Sequence, residues 1–178
     1  KNVLSVVLPM KVPTELPGGK FRLRFPSAFT ASANLEVDVS YVARVPLLGV
    51  ESRRLALPEV DEALAVPALT LHELAAGKFA ALASRAAARD HYDAARLLEA
   101  APGLTRDPGF RLAFVCAASG ARKDYLRERH ELPPLEPRDV EQRLLPLLRV
   151  RPGESPPTAS ELALRLRERV APAVREAL

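Results

Sequence analysis

A change of period at Thr70 constrains this 178-residue chain more than any other feature. Before it, apolar residues recur at every second position; after it, they recur every three to four. Phe21-Arg22-Leu23-Arg24-Phe25 and Leu35-Glu36-Val37-Asp38-Val39-Ser40-Tyr41 alternate apolar with polar, the period of strands with one buried face. Residues 2–8 read as another strand, and Pro17-Gly18-Gly19 supplies a turn before the second. Residues 44–66 are irregular, broken by Pro46, Pro58 and Pro67, with a short strand expected at 53–57. A strand period does not serve a helix, so the chain must combine a strand region, 1–69, with a helical region, 70–178. The class is α+β.

Thr70-Leu71-His72-Glu73 has the form of a capping box, in which hydroxyl and carboxylate reciprocally satisfy free backbone donors. It opens a helix expected to reach about Arg85. A second helix should run from about Arg89 to Ala100 and stop at Pro102-Gly103. More helices are expected at 107–118, 121–130 and 137–148. Residues 151–157 read as a linker. Thr158-Ala159-Ser160-Glu161 is a second capping box, opening a terminal helix with a kink at Pro172.

Composition narrows the functional classes. No run of about 18 apolar residues is present, which argues against a membrane span. No charged stretch leads into an apolar segment at the start, so a soluble, cytoplasmic protein is expected. The single Cys116, in Phe114-Val115-Cys116-Ala117, reads as small core filler. Net charge is +4, and only Lys1, Lys11, Lys20, Lys78 and Lys123 of 26 cationic residues are lysine. Arginine suits phosphate because its planar fork bonds oxygens in pairs, although an Ala-, Arg- and Pro-rich composition also follows from genome base bias. His72, His91 and His130 have no zinc-ligand spacing, and no glycine-rich phosphate loop is present.

Three residues break the patterns around them. At about 100° per residue, Lys78 falls within the apolar arc of Leu71, Leu74, Ala75, Phe79 and Leu82, and Arg85 lies on the same stripe. A lysine there either covers core with its stem while its amine reaches water, or aims a cation into a cleft. Asp90 lies on the apolar stripe of the next helix with Ala94, Leu97 and Ala101. It suits the helix dipole as a first-turn carboxylate, or pairs with Lys78 as a buried ion pair. Asp38 shares a strand face with Glu36. It reads either as part of a solvated face or as a carboxylate that binds a divalent metal or deprotonates a hydroxyl.

Val66-Pro67-Ala68-Leu69-Thr70-Leu71-His72-Glu73-Leu74-Ala75-Ala76-Gly77-Lys78, then Arg85, then Arg89-Asp90-His91-Tyr92-Asp93, resembles the AbiEii/AbiGii toxin family, which includes the MenT-like enzymes. The hallmark is an E-L-x-x-x-K-x-x-A-L helix followed by R-D-x-Y-D. Leu35–Tyr41 looks like the family's third carboxylate strand. The likeness covers roughly residues 20–100. It implies a nucleotidyltransferase-like fold of the DNA polymerase β type, with a mixed sheet packed by helices and a helical C-terminal region. It implies a bacterial toxin of a toxin–antitoxin or abortive-infection system, transferring a nucleotide from an NTP to RNA, the 3′ end of a transfer RNA.

By the same likeness Lys78, with Arg85 behind it, contacts the triphosphate, and Asp90 is an active-site residue. Asp38 completes the catalytic set and, with Glu36, the Mg2+ site. A cognate antitoxin is an expected protein partner; a membrane and DNA are not. In the family a G-S motif and a D-x-D pair upstream hold the metals. Neither stands before Asp38 here, so they are expected ahead of Lys1, or the chain is a degenerate member. Residues 1–178 alone are then expected to be inactive. The alternative is a non-catalytic module that keeps the fold and binds RNA or protein.

Overall fold

The computed structural model describes residues 5–7, 18–27, 31–40, 45–54, 65–121, 132, 134–148 and 155–177. Residues 122–130 of an expected helix, and 151–154 of the linker, lie outside them. The chain divides into two compact units, Lys1–Pro46 and Leu47–Leu178.

In the first unit β1 (Ser5–Val7), β2 (Gly18–Phe25) and β3 (Ala33–Ser40) form an antiparallel sheet in that order. The register sets Phe21 against Val37, Leu23 against Leu35, Arg22 against Glu36 and Lys20 against Asp38. The alternations of the two strands therefore coincide, apolar on one face and charged on the other. Arg22 Nη2 donates to Glu36 Oε1 at 2.7 Å across the polar face. Among the described residues every strand pairing is antiparallel, where the sequence led to a mixed sheet. Short connections return the chain as hairpins, whereas a parallel neighbour needs a crossover of about a dozen residues or more.

The second unit opens with an antiparallel hairpin of β4 (Val50–Arg54) and β5 (Ala65–Leu69). Pro67 lies inside β5, opposite Ser52, in a stretch read as irregular from the sequence. Proline lacks an N–H, but in a two-stranded sheet both strands are edges, so its missing donor can face outward. Val50–Arg54 is strand where the sequence suggested 53–57; residues 55–57 are outside the described set.

Helices follow: α1 (Leu71–Arg85), α2 (Ala88–Ala100) and α3 (Pro108–Ala121), and, nearer the C-terminus, α4 (Ala159–Ala177). Thr70 Oγ1 accepts from the Glu73 N–H at 3.4 Å, half of the expected capping box. The Glu73 carboxylate instead accepts from the Leu47 and Leu48 N–H groups at 3.1 and 3.0 Å. At Thr158 and Glu161 the box is complete, with bonds of 3.0 and 3.3 Å in the two directions. The expected helix at 137–148 is a single α turn at Pro137–Asp139, a π turn at Val140–Leu144 and a 3-10 turn at Leu145–Leu147. Pro146 denies the last turn an i→i−4 donor, so a regular helix cannot continue there. α4 runs through Pro172 to Ala177.

The core of the second unit draws on all four helices, and its aromatic centre lies between α1 and α3. Phe79 meets Phe110 and Phe114 edge-on, at centroid separations of 5.2 and 6.2 Å, and all three rings are fully buried. Such contacts add about 0.5–1.5 kcal/mol each beyond area burial. Ala75, Ala76, Ala80 and Ala83 complete a flat face on α1. The buried arc of α1 is thus centred on Phe79 and these alanines, and the Leu71, Leu74, Lys78 and Arg85 stripe is exposed at its edge. Of the arc read from the sequence, Ala75, Phe79 and Leu82 are buried, whereas Leu71 and Leu74 are exposed. Cys116 is also exposed, contrary to its reading as core filler. α3 buries Phe110, Ala113, Phe114 and Ala118, a stripe that leaves position 116 on the other side. Among the described residues no helix is long and apolar enough to cross a membrane.

Candidate functional site

The chain reverses between α1 and α2 at Ala86-Ala87. Ala86 takes a left-handed conformation at φ 49°, unusual for a residue with a Cβ, and its N–H bonds to Leu82 O at 2.9 Å. The N-cap position of α2, Ala87, has no side chain able to cap it. Asp139, 51 residues on, does so: its Oδ2 accepts the Ala88 N–H at 2.6 Å. That bond fixes the irregular 137–147 segment against the start of α2.

Beside this reversal two ion pairs form. Arg85 Nε and Nη2 donate to Asp90 Oδ2 and Oδ1, both at 2.7 Å, a bidentate fork. The Asp90 side chain is 4% exposed while that of Arg85 is 64% exposed. Burial pushes the Asp90 carboxyl up, but the Arg85 hydrogen bonds and charge, a backbone bond at Ala87 and the charge of Lys78 together outweigh it. The carboxyl is held below the usual carboxylate range. Lys78 Nζ donates to Asp93 Oδ2 at 2.8 Å, with both side chains well exposed.

The expected Lys78–Asp90 pair is therefore not formed; each binds another partner. Arg85 stands beside the reversal and meets Asp90 just past it, whereas Lys78, farther back, meets Asp93, farther on. Counting outward from the turn would have found both pairs. Asp90 is buried, as its place on the α2 stripe implied, at 3% exposure.

Lys78, Arg85, Arg89, Asp90, Tyr92 and Asp93 line one side of a cleft of about 340 Å³, and Leu144, Leu147 and Leu148 form the other wall. Arg89 is exposed. The leucine wall was invisible to a reading of local patterns, because it arrives from more than 50 residues away. Asp38 and Glu36 belong to the first unit, where they share the polar face of β3 and Glu36 is bound by Arg22. Among the described residues no group of three or more His, Cys, Asp or Glu is placed to hold a metal ion. Two carboxylates on one strand do not complete the oxygen shells of paired Mg2+ ions, so no step is assigned to the metal.

His91, next to Asp90 in the chain, is fully buried. Its Nδ1 lies 3.2 Å from Ala87 O, and Nε2 has no partner among the described residues. Burial pulls the imidazole below its ordinary pKa, so the ring is neutral with its proton on Nδ1.

The family model of the nucleotidyl transferase AbiEii toxin, a type IV toxin–antitoxin system, matches residues 4–175. The chain belongs to the AbiEii family. Comparison with curated proteins and with solved structures gives no significant match. AbiEii membership makes the chain one of a family of nucleotidyl transferases, with a nucleotide as substrate and an antitoxin as partner. The Lys78 cleft lies within the matched span, as do α1 and α2.

Proposed function

We propose that the Lys78–Arg85–Arg89 cleft binds the NTP from which a nucleotide is transferred to an RNA acceptor, the 3′ end of a transfer RNA. What supports the reading is the two-sided chemistry of the cleft: cations along one wall, leucines along the other, and Tyr92 among the lining residues. Triphosphate belongs on the cationic side, and a base can lie against Tyr92 and the leucines. The volume falls within the usual range of small-molecule sites, about 300–1,000 Å³.

Each cation keeps donors for a ligand. The Lys78 ammonium has three N–H groups and gives one to Asp93; Arg85 gives two of five to Asp90. Negative charge grows on the leaving pyrophosphate as its bond to the α-phosphorus breaks, and fixed cations stabilise that charge most in the transition state. Asp90 acts here through Arg85, holding the fork in one orientation, and is a positioning residue. A divalent cation remains part of the proposal through family membership, without an assigned geometry.

Binding of a fluorescent NTP analogue tests the reading. A lost charge-assisted hydrogen bond is worth about 1.5–3 kcal/mol, so Lys78→Ala should weaken binding by about tenfold or more. Its thermal midpoint should stay close to wild type, since Lys78 is an exposed residue. Unchanged affinity, or a loss that only tracks unfolding, would overturn the assignment.

A further inference from the structure

The nucleotide cleft is the first of three depressions, each of which shares a lining residue with the next. It shares Tyr92 with a second, of about 620 Å³, lined from α2 and α4. The second shares Arg169 with a third, of about 510 Å³, that reaches Arg106. On α2, Arg89, Tyr92 and Arg96 stand at i, i+3 and i+7, one stripe of the helix. Arg165 and Arg169 stand one turn apart on α4 and line the same depression as Arg96. The arginines of this path are exposed.

Glu99 organises the middle of the path. Its carboxylate accepts from Arg96 Nη1 and from Arg169 Nη1, each at 2.5 Å, so two arginines from different helices are held around one anion. Each guanidinium has five N–H donors, and this contact leaves most of them for a ligand. Beyond Tyr92 every cation lining the path is arginine; Glu99, Glu168 and Glu176 line it as well, and Arg106 Nε donates to Glu176 Oε1 at 2.6 Å. Arginine's fork suits phosphate oxygens, and an open path of successive forks suits a chain of phosphates better than a single small anion.

We propose that the path from Tyr92 along Arg96, Arg165 and Arg169 binds the sugar–phosphate backbone of single-stranded RNA and leads its end to the nucleotide cleft. The proposal rests on the reading of that cleft given above. Tyr92, common to both depressions, marks where the end of the RNA meets the bound nucleotide.

The test is fluorescence anisotropy of the 178-residue chain with a short unstructured oligoribonucleotide across a series of salt concentrations, alongside fluorescent-nucleotide binding. Wild type should bind the RNA with an affinity that falls with salt. Arg165→Gln and Arg96→Gln should each flatten the log–log salt slope by about 0.7, the value for one phosphate contact on a single strand. Nucleotide affinity should hold in both variants. Arg165→Gln leaves the Glu99 contacts intact, so it separates RNA contact from helix pairing; a wild-type thermal midpoint confirms that it folds. No RNA binding by wild type, or a slope unchanged in both variants, would overturn the proposal. So would variants that keep RNA but lose an acidic protein partner, which would make this a protein-docking face. Failure of the wild-type chain to bind nucleotide would instead overturn the reading of the cleft.

Discussion

Removing Arg85 should destabilise the fold more than neutralising Asp90, although both changes strike the same bidentate pair. The asymmetry follows from exposure: the Asp90 side chain is 4% exposed and that of Arg85 is 64% exposed. In Arg85→Ala the carboxylate stays buried without its partner, a change that costs about 3–5 kcal/mol when a pair is fully buried. Solvent around Arg85 screens part of the pair, so the lower end of that range is expected. In Asp90→Asn the freed guanidinium turns to water, and one amide oxygen still accepts, so the cost is nearer one charge-assisted bond, about 1.5–3 kcal/mol. The double variant Arg85→Ala/Asp90→Asn should cost clearly less than the sum of the singles, because no buried charge remains.

Urea denaturation at pH 7 measures all three variants. The pH dependence gives a second check. The Asp90 carboxyl lies below its ordinary range in the folded protein, so its contribution is present above the unfolded value, near 3.9, and is lost as pH falls through the folded one. Arg85→Ala should therefore lose its deficit relative to wild type on acidification. Equal costs for the two single variants, strict additivity, or a deficit that persists in acid would refute the reasoning.

His91 is pulled below its ordinary value by burial, so the unfolded chain takes up a proton first as pH drops below about 6.5. Stability should decline from there downward, and His91→Gln should flatten the thermal midpoint between pH 7 and 5; an unaltered slope would count against a buried neutral ring. Gly77 lies exposed inside α1, and a Cβ there would meet nothing within 4 Å. Gly77→Ala should raise stability by about 1 kcal/mol, and a lower urea midpoint would show a contact that the structure does not contain. With labelled NTP, Mg2+ and bulk transfer RNA, residues 1–178 should give no labelled RNA, since the described residues offer no cluster for paired metal ions. Labelling that is abolished by EDTA or by Asp38→Ala would contradict this and would place a metal site on the β3 carboxylates.

The local elements were legible in the sequence because their causes are local. The period of 71–85, the stop at Pro102-Gly103 and the capping box at Thr158 each act over a turn or two of chain, and α1, α2 and α4 lie where those signals put them. The alternation of residues 21–25 and 35–40 likewise survives in the register of β2 against β3; Tyr41 lies outside the described residues. The strand at Pro67 was missed because a proline blocks pairing on only one edge, and the sequence does not say which edge faces a partner.

Only the tertiary structure decided how these elements share their residues. The buried face of α1 runs through Ala75, Phe79 and Leu82 and leaves out Leu71 and Leu74, and that choice left the Lys78 and Arg85 stripe exposed beside α2. Where α1 and α2 lie against each other then decided which charge met which: Arg85 with Asp90, Lys78 with Asp93. The Asp139 cap and the leucine wall come from a segment some 50 residues along the chain. Periodicity shows which face of a helix can be buried; it carries no information on which neighbour arrives to bury it, because that is settled by summed packing over the whole unit.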